Sequence, residues 1–179
     1  MENYQIEELI SSEKIRGRIR EVAKQIDRDY AGKKPIVAVV LKGGFIFAAD
    51  LIRELEVPLN VDFIGASSYK GMKSTGDLKI TKDLSTPISG RHLILVEDIV
   101  DTGLTLHNLI QHLNQRKPAS IKIATLLLKD IDRPFDLPVD YHCFAIPNEF
   151  VVGFGLDYEE KHRGLPFIGF VRPEEESTE

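Results

Sequence analysis

The stretch Leu93–Leu106, LILVEDIVDTGLTL, sets three carboxylates, Glu97, Asp98 and Asp101, just ahead of a Thr-Gly-x-Thr turn. A turn between a buried strand and a helix points backbone N–H groups one way, and the helix start adds partial positive charge, so such a turn suits a phosphate. Gly103 lets the backbone approach closely, and the Thr102 and Thr105 hydroxyls can donate to phosphate oxygens without adding charge. Glu97 and Asp98, adjacent at a strand end, suit a ribose diol, a magnesium ion held through water, or both. Asp101 would be repelled by a phosphate unless a cation or a protonated group lies between, which points to proton transfer. The bland alternative is that Asp98 and Asp101 cap a helix and Glu97 faces solvent. It suits each residue singly but not the ordered set. Neither Gly-x-x-x-x-Gly-Lys nor Gly-x-Gly-x-x-Gly occurs, which leaves a Rossmann-like redox domain without its fingerprint.

The elements that must hold these residues read as an α/β chain. Apolar positions Ile15, Ile19, Val22, Ala23, Ile26 and Tyr30 recur at steps of three and four, which predicts an amphipathic helix with Ser12 as its cap. IVAVVL (36–41) is a β-branched strand stopping at Gly43-Gly44 and feeding the helical FIFAADLIREL. VDFIGASSY, LKITKDL, HLILVED and SIKIATLLLK read as further strands, and a helix after the turn carries Leu106, Leu109, Ile110 and Leu113 on one face. Strands apolar on both faces and alternating with helices predict a mostly parallel twisted sheet flanked by helices, with ligands at the carboxyl ends of its strands. The polar, glycine-bearing YKGMKSTGD (69–77) suits a lid loop.

With 179 residues, 42% hydrophobic and 28% charged, the chain fits one domain, 1–179. Its expected parts are a core over about 15–130, a small irregular hood over about 131–172 joined by the N-terminal segment, and a disordered tail at 173–179. A net charge of −5 gives no footprint for nucleic acid. The single cysteine, Cys143, lies in apolar DYHCFAI and reads as a buried inert thiol. No stretch resembles a secretion signal or a membrane span, so a cytoplasmic protein is expected.

VEDIVDTGLTL resembles the signature of the type I phosphoribosyltransferases, which recognise 5-phosphoribosyl 1-diphosphate. LKGG at 41–44, SSY at 67–69, LLLKD at 126–130 and FVVGFGLDYEEKHRGLP at 150–166 narrow the resemblance to the hypoxanthine-guanine branch, in order over nearly the whole chain. It implies that the ribose hydroxyls are held by Glu97 and Asp98, the 5'-phosphate by Asp101, Thr102, Gly103, Leu104 and Thr105, and the N7 proton of the purine by Asp101 as general base. Leu104 replaces a lysine of some relatives, which keeps a backbone contact but removes a side-chain charge. Lys42 and Gly43 match a loop whose backbone contacts the leaving diphosphate and whose peptide is often cis in relatives, and Arg163 matches the diphosphate-binding arginine.

For the purine, the resemblance implies that Lys129 donates to the oxygen at C6, Phe150 stacks on the ring, and Val151 and Asp157 contribute backbone. Magnesium would be held by Glu97 and Asp98, the Asp157 side chain would help place a second magnesium, and a lid bearing Ser68 and Tyr69 would close over the diphosphate. The implied activity is purine salvage: phosphoribosyl transfer to N9 of hypoxanthine or guanine, giving IMP or GMP and diphosphate, by a homodimer or homotetramer. A phosphoribosyltransferase-like regulator without catalysis is the alternative, disfavoured by the acidic charge and the retained Asp101.

Overall fold

The structure, a computed structural model, describes residues 4–68 and 78–173. The main sheet has six strands in the order β4(Leu78–Lys82), β3(Asn60–Ser68), β2(Ile36–Leu41), β5(His92–Val100), β6(Ser120–Lys129), β7(Tyr141–Ile146). All neighbours run parallel except the antiparallel edge pair β3 and β4. The parallel sheet inferred from sequence is present, and its central strands are buried on both faces as their apolar runs require.

The two faces divide by strand alternation. Val37 and Val39 of β2 and Ile94 and Val96 of β5 pack with α1(Ser12–Asp29) and α2(Phe45–Glu54), through Ile15, Ile19, Val22, Phe47 and Leu51. Ile36, Ala38 and Val40, with Leu93 and Leu95, face α3(Leu104–Asn114) through Leu106, Leu109 and Leu113. Each fully buried Ile or Leu contributes roughly 1.5–3 kcal/mol, so both helix layers are held firmly against the sheet. Opposite faces of β5 thus lock two helix layers around the strand that carries the acid pair.

Two local expectations change. The cap of α1 is Ser11, whose Oγ accepts from the Lys14 N–H at 3.4 Å, and Ser12 is already helical. The hood expected over 131–172 is not all irregular: 141–146 form β7, which continues the main sheet beside β6. Tyr141 and Cys143 alternate inward, and Ile146 is buried at the strand end, which carries the strand into the core. Burial pushes the Cys143 thiol up to about 12, as an inert buried cysteine requires.

A separate antiparallel sheet, ordered β1(Tyr4–Ile10), β9(Ile168–Pro173), β8(Val151–Val152), joins the N-terminal segment to the chain after 150. Within the lid expectation, Ser68 ends β3, while Tyr69 and residues 70–77 lie outside the described residues. No helix among the described residues is long and apolar enough to cross a membrane.

Candidate active site

β5 delivers Glu97 and Asp98 at its carboxyl end, the chain turns through 101–103, and α3 begins at Leu104. Gly103 sits at the helix cap with φ 77°, in the left-handed region that glycine occupies freely. A Cβ there would meet Leu137 Cδ2 at 2.5 Å, so the hood covers the turn tightly. A cavity of about 200 Å³ lined by residues 97–106 opens on this turn. Helix geometry leaves the first N–H groups of α3 without intrahelical acceptors, and they belong to residues lining this space. Leu104 N–H reaches only its neighbour Thr102 Oγ1, at 3.4 Å.

A second cavity of about 200 Å³ is lined by Asp98, Ile99, Asp101, Lys129, Glu149, Phe150, Val151, Leu156 and Asp157. Asp98, Ile99 and Asp101 line both, so the cavities adjoin along the end of β5. Lys129 Nζ lies 3.0 Å from Asp101 Oδ2 and 3.3 Å from Asn148 Oδ1. Lys129 is otherwise buried, whereas Phe150 is 54% exposed, an unusual state for a phenylalanine, with its ring edge-on to Tyr158 at 5.6 Å. A bigger cleft of about 310 Å³, lined by Arg20, Lys24, Asp27, Arg28, Glu54 and Glu56, shares no residue with these two. Size alone does not mark the site.

The Lys42–Gly44 loop closes the third side. The Leu41–Lys42 peptide is cis. A Cβ at Gly43 would fall on the Asp98 carboxylate, and one at Gly155 on the Gly43 carbonyl, so both glycines are required by close approach. Arg163 donates through Nη1 to the Gly155 carbonyl at 2.8 Å, and its Nη2 lies 2.8 Å from Asp157 Oδ1. Among the described residues its Nε is buried without a hydrogen-bond partner.

Burial pushes the Glu97 carboxyl well above the ordinary glutamate range, and the adjacent Asp98 carboxylate adds to the rise. Burial also raises Asp98, against the opposing pull of Glu97, the Ile99 N–H and Arg163. Two desolvated carboxylates side by side, all oxygen donors, fit a small hard cation that would offset both charges. Among the described residues no three His, Cys, Asp or Glu side chains cluster as a metal cage, and both Asp157 oxygens are already engaged, by Arg163 and by the Glu160 N–H. That donor set suits magnesium, which takes one or two carboxylates and fills its shell with water and phosphate oxygens.

Every sequence-predicted site residue from 97 to 105, with Lys42, Gly43, Lys129, Phe150, Val151, Asp157 and Arg163, is drawn into this one region. Sequence reasoning missed Arg133 and Glu160. Arg133 donates to the carbonyls of Asp101 (3.0 Å), Val100 (3.3 Å) and Lys129 (2.7 Å), clamping the turn to the end of β6. Glu160 bridges Lys42 and Arg163. Neither residue has a local pattern that marks it.

The family model described as the phosphoribosyl transferase domain matches residues 5–159. A hypoxanthine-guanine phosphoribosyltransferase of Streptococcus thermophilus is 47% identical over 167 residues, 93% of each chain. A hypoxanthine-guanine-xanthine phosphoribosyltransferase of Tritrichomonas foetus is 46% identical over 165 residues, covering 92% of this chain and 90% of that one. Among solved structures, the hypoxanthine phosphoribosyltransferase of Trypanosoma cruzi in complex with the product IMP superposes with a TM-score of 0.88, at 42% identity and 97% coverage of both chains. These relatives are named as enzymes, which leaves the regulator alternative without support. With a six-stranded, mostly parallel sheet and the acid pair and glycine turn at the end of its central strand, the chain belongs to the phosphoribosyltransferase family.

Proposed function

We propose that this enzyme works in purine salvage, transferring the 5-phosphoribosyl group of 5-phosphoribosyl 1-diphosphate to N9 of hypoxanthine or guanine and forming IMP or GMP and diphosphate. The observation that carries the reading is the 3.0 Å pairing of Asp101 with Lys129 where the two cavities meet. One cavity has the peptide donors of a helix start, and the other has an exposed aromatic ring.

The 5'-phosphate is held by the 101–105 turn through N–H groups and the Thr102 and Thr105 hydroxyls, with Leu104 contributing only backbone. Glu97 and Asp98 take the ribose hydroxyls. Phe150 offers its exposed ring to the purine, and Val151 and Asp157 meet the 2-position through backbone groups. Lys129 has donors only, so it favours an oxygen at C6 and disfavours the amine of adenine. As N9 attacks C1', the C1'–O bond to diphosphate breaks and its electron pair leaves with the diphosphate. Asp101 takes the N7 proton that the ring can no longer hold.

Lys42, the Gly43 peptide and Arg163 hold the leaving diphosphate, with the Arg163 guanidinium matched to a planar pair of phosphate oxygens. Magnesium held by Glu97 and Asp98, with Asp157 beside them, would offset the charge that grows on the leaving group. The exposed Phe45, Val61 and Phe63 supply apolar surface for a homodimer or homotetramer, and we place the enzyme in the cytoplasm.

The test offers purified protein 5-phosphoribosyl 1-diphosphate and magnesium with hypoxanthine, guanine, xanthine, adenine or orotate in turn. IMP and GMP should form. Product from adenine or orotate alone, or from no base, overturns the reading.

A further inference from the structure

The cations assigned to the diphosphate are already engaged by one carboxylate. Lys42 Nζ donates to Glu160 Oε2 at 2.9 Å, and Arg163 Nη2 lies 3.4 Å from Glu160 Oε1. One side chain therefore spans, with its two oxygens, two positive groups brought together from the loop after β2 and the turn near 160. Asp157 also pairs with Arg163, but its Oδ2 accepts the Glu160 N–H at 2.8 Å and so helps hold the turn. The turn is further closed by Lys161 N–H to the Tyr158 carbonyl at 2.9 Å and by Tyr158 N–H to the Lys161 carbonyl at 3.1 Å. The Glu160 carboxylate has no part in those bonds and is 66% exposed. Its hydrogen bond from Lys42 holds it below the ordinary glutamate range, so it is ionised near neutral pH. The arrangement is that of an anion seated between two cations on a short, solvent-facing tether.

We propose that Glu160 is a positioning residue that competes with diphosphate for Lys42 and Arg163. It sets how tightly diphosphate, and the diphosphate end of the donor, are held. The inference rests on the diphosphate role given above to Lys42 and Arg163. Its consequence concerns release: as diphosphate departs, the Glu160 carboxylate replaces it, so Lys42 keeps an anionic partner and Arg163 regains a second one beside Asp157. Both contacts are exposed and individually weak, which suits a competitor that must yield to a more highly charged ligand.

Calorimetric titration of the full chain with magnesium diphosphate, and separately with IMP, tests this. Glu160→Gln should tighten diphosphate binding by about three- to tenfold, the scale of one or two exposed ion pairs. IMP, which carries no diphosphate, should bind as before. Glu159→Gln removes the same charge one residue away and should reproduce little of the effect. Under turnover, Glu160→Gln should show stronger product inhibition by diphosphate and a lower KM for the donor with no gain in kcat. Unchanged or weaker diphosphate binding overturns the proposal, as does an equal effect from Glu159→Gln or a parallel change for IMP. A protein that shows the tighter binding yet makes no nucleotide would retain this inference and refute the reaction.

Discussion

Lys129 Nζ lies 3.0 Å from Asp101 Oδ2, tying the end of β6 to the turn after β5. With the Asp101 side chain 49% exposed, such a pair contributes at most about 1 kcal/mol, weak enough for an entering purine to reorder. Asp101→Asn keeps the size of the side chain and removes the proton acceptor. Steady-state kinetics should show a near-normal KM for 5-phosphoribosyl 1-diphosphate and a kcat lowered by about 10²–10⁴-fold. Normal kcat would refute the general-base role. Lys129→Gln should instead raise the KM for hypoxanthine more than that for the donor, and equal rises would remove its assigned contact with C6.

Gly43 faces Asp98 so closely that a Cβ would occupy the carboxylate. Gly43→Ala must therefore rotate Asp98 away or shift the loop. A displacement of that order among ligand-holding groups costs about 100-fold in activity, whereas thermal stability should change little because the clash lies at the rim of the sheet. Gly17 in α1 provides the contrast: nothing lies within 4 Å of its would-be Cβ. Gly17→Ala should leave kinetics intact and raise stability by about 0.5–1 kcal/mol, read from a denaturant melt.

The sequence made the centre of the sheet legible and its borders obscure, for a physical reason. β2 is apolar throughout, β5 is apolar from Leu93 to Val96 and β6 from Leu126 to Leu128, and such uninterrupted runs announce buried parallel strands without knowledge of partners. The site residues of β5 were equally readable, because strand, acid pair, turn and helix follow one another along the chain. β7 carries only three buried apolar residues behind a proline-bearing stretch, and its place beside β6 is a tertiary fact. β1 joins β9 across nearly the whole chain, Tyr4 opposite Pro173. Glu160 meets Lys42 only because Gly155 lets the later turn settle on the Gly43 carbonyl. Residues whose role depends on such closures have no local signature.

Arg133 holds three carbonyls with one guanidinium, those of Val100 and Asp101 at the turn after β5 and that of Lys129 at the end of β6. Arg133→Met preserves the stem and leaves those carbonyls without their donor. Stability should fall by about 1–3 kcal/mol, a melting temperature lower by roughly 2–10 °C for a chain of this size. If the clamp also aims the turn, KM for the donor rises by about tenfold at a temperature where the variant remains folded. An unchanged KM would confine Arg133 to stability.

Asp62 on β3 is 6% exposed, and its carboxylate accepts the N–H groups of Phe63, Ser85 and Thr86 at 2.7–2.8 Å, with Lys82 Nζ at 3.6 Å. Burial alone would raise its carboxyl, but the Thr86 and Phe63 N–H groups, then the Thr86 hydroxyl and the Ser85 N–H, outweigh it and hold the group below the ordinary aspartate range. A carboxyl depressed by folding stabilises fully above its unfolded value of about 3.9 and loses that contribution as pH falls through the lower folded value. Asp62→Asn should therefore cost about 1–3 kcal/mol at pH 7, and the gap from the parent should stay level down to about pH 4 and narrow below it. Urea melts at pH 7, 5, 4 and 3 would read this directly. A gap that widened on acidification would contradict the depressed carboxyl, and with it the view that Asp62 fastens β3 to the 83–86 turn through its charge.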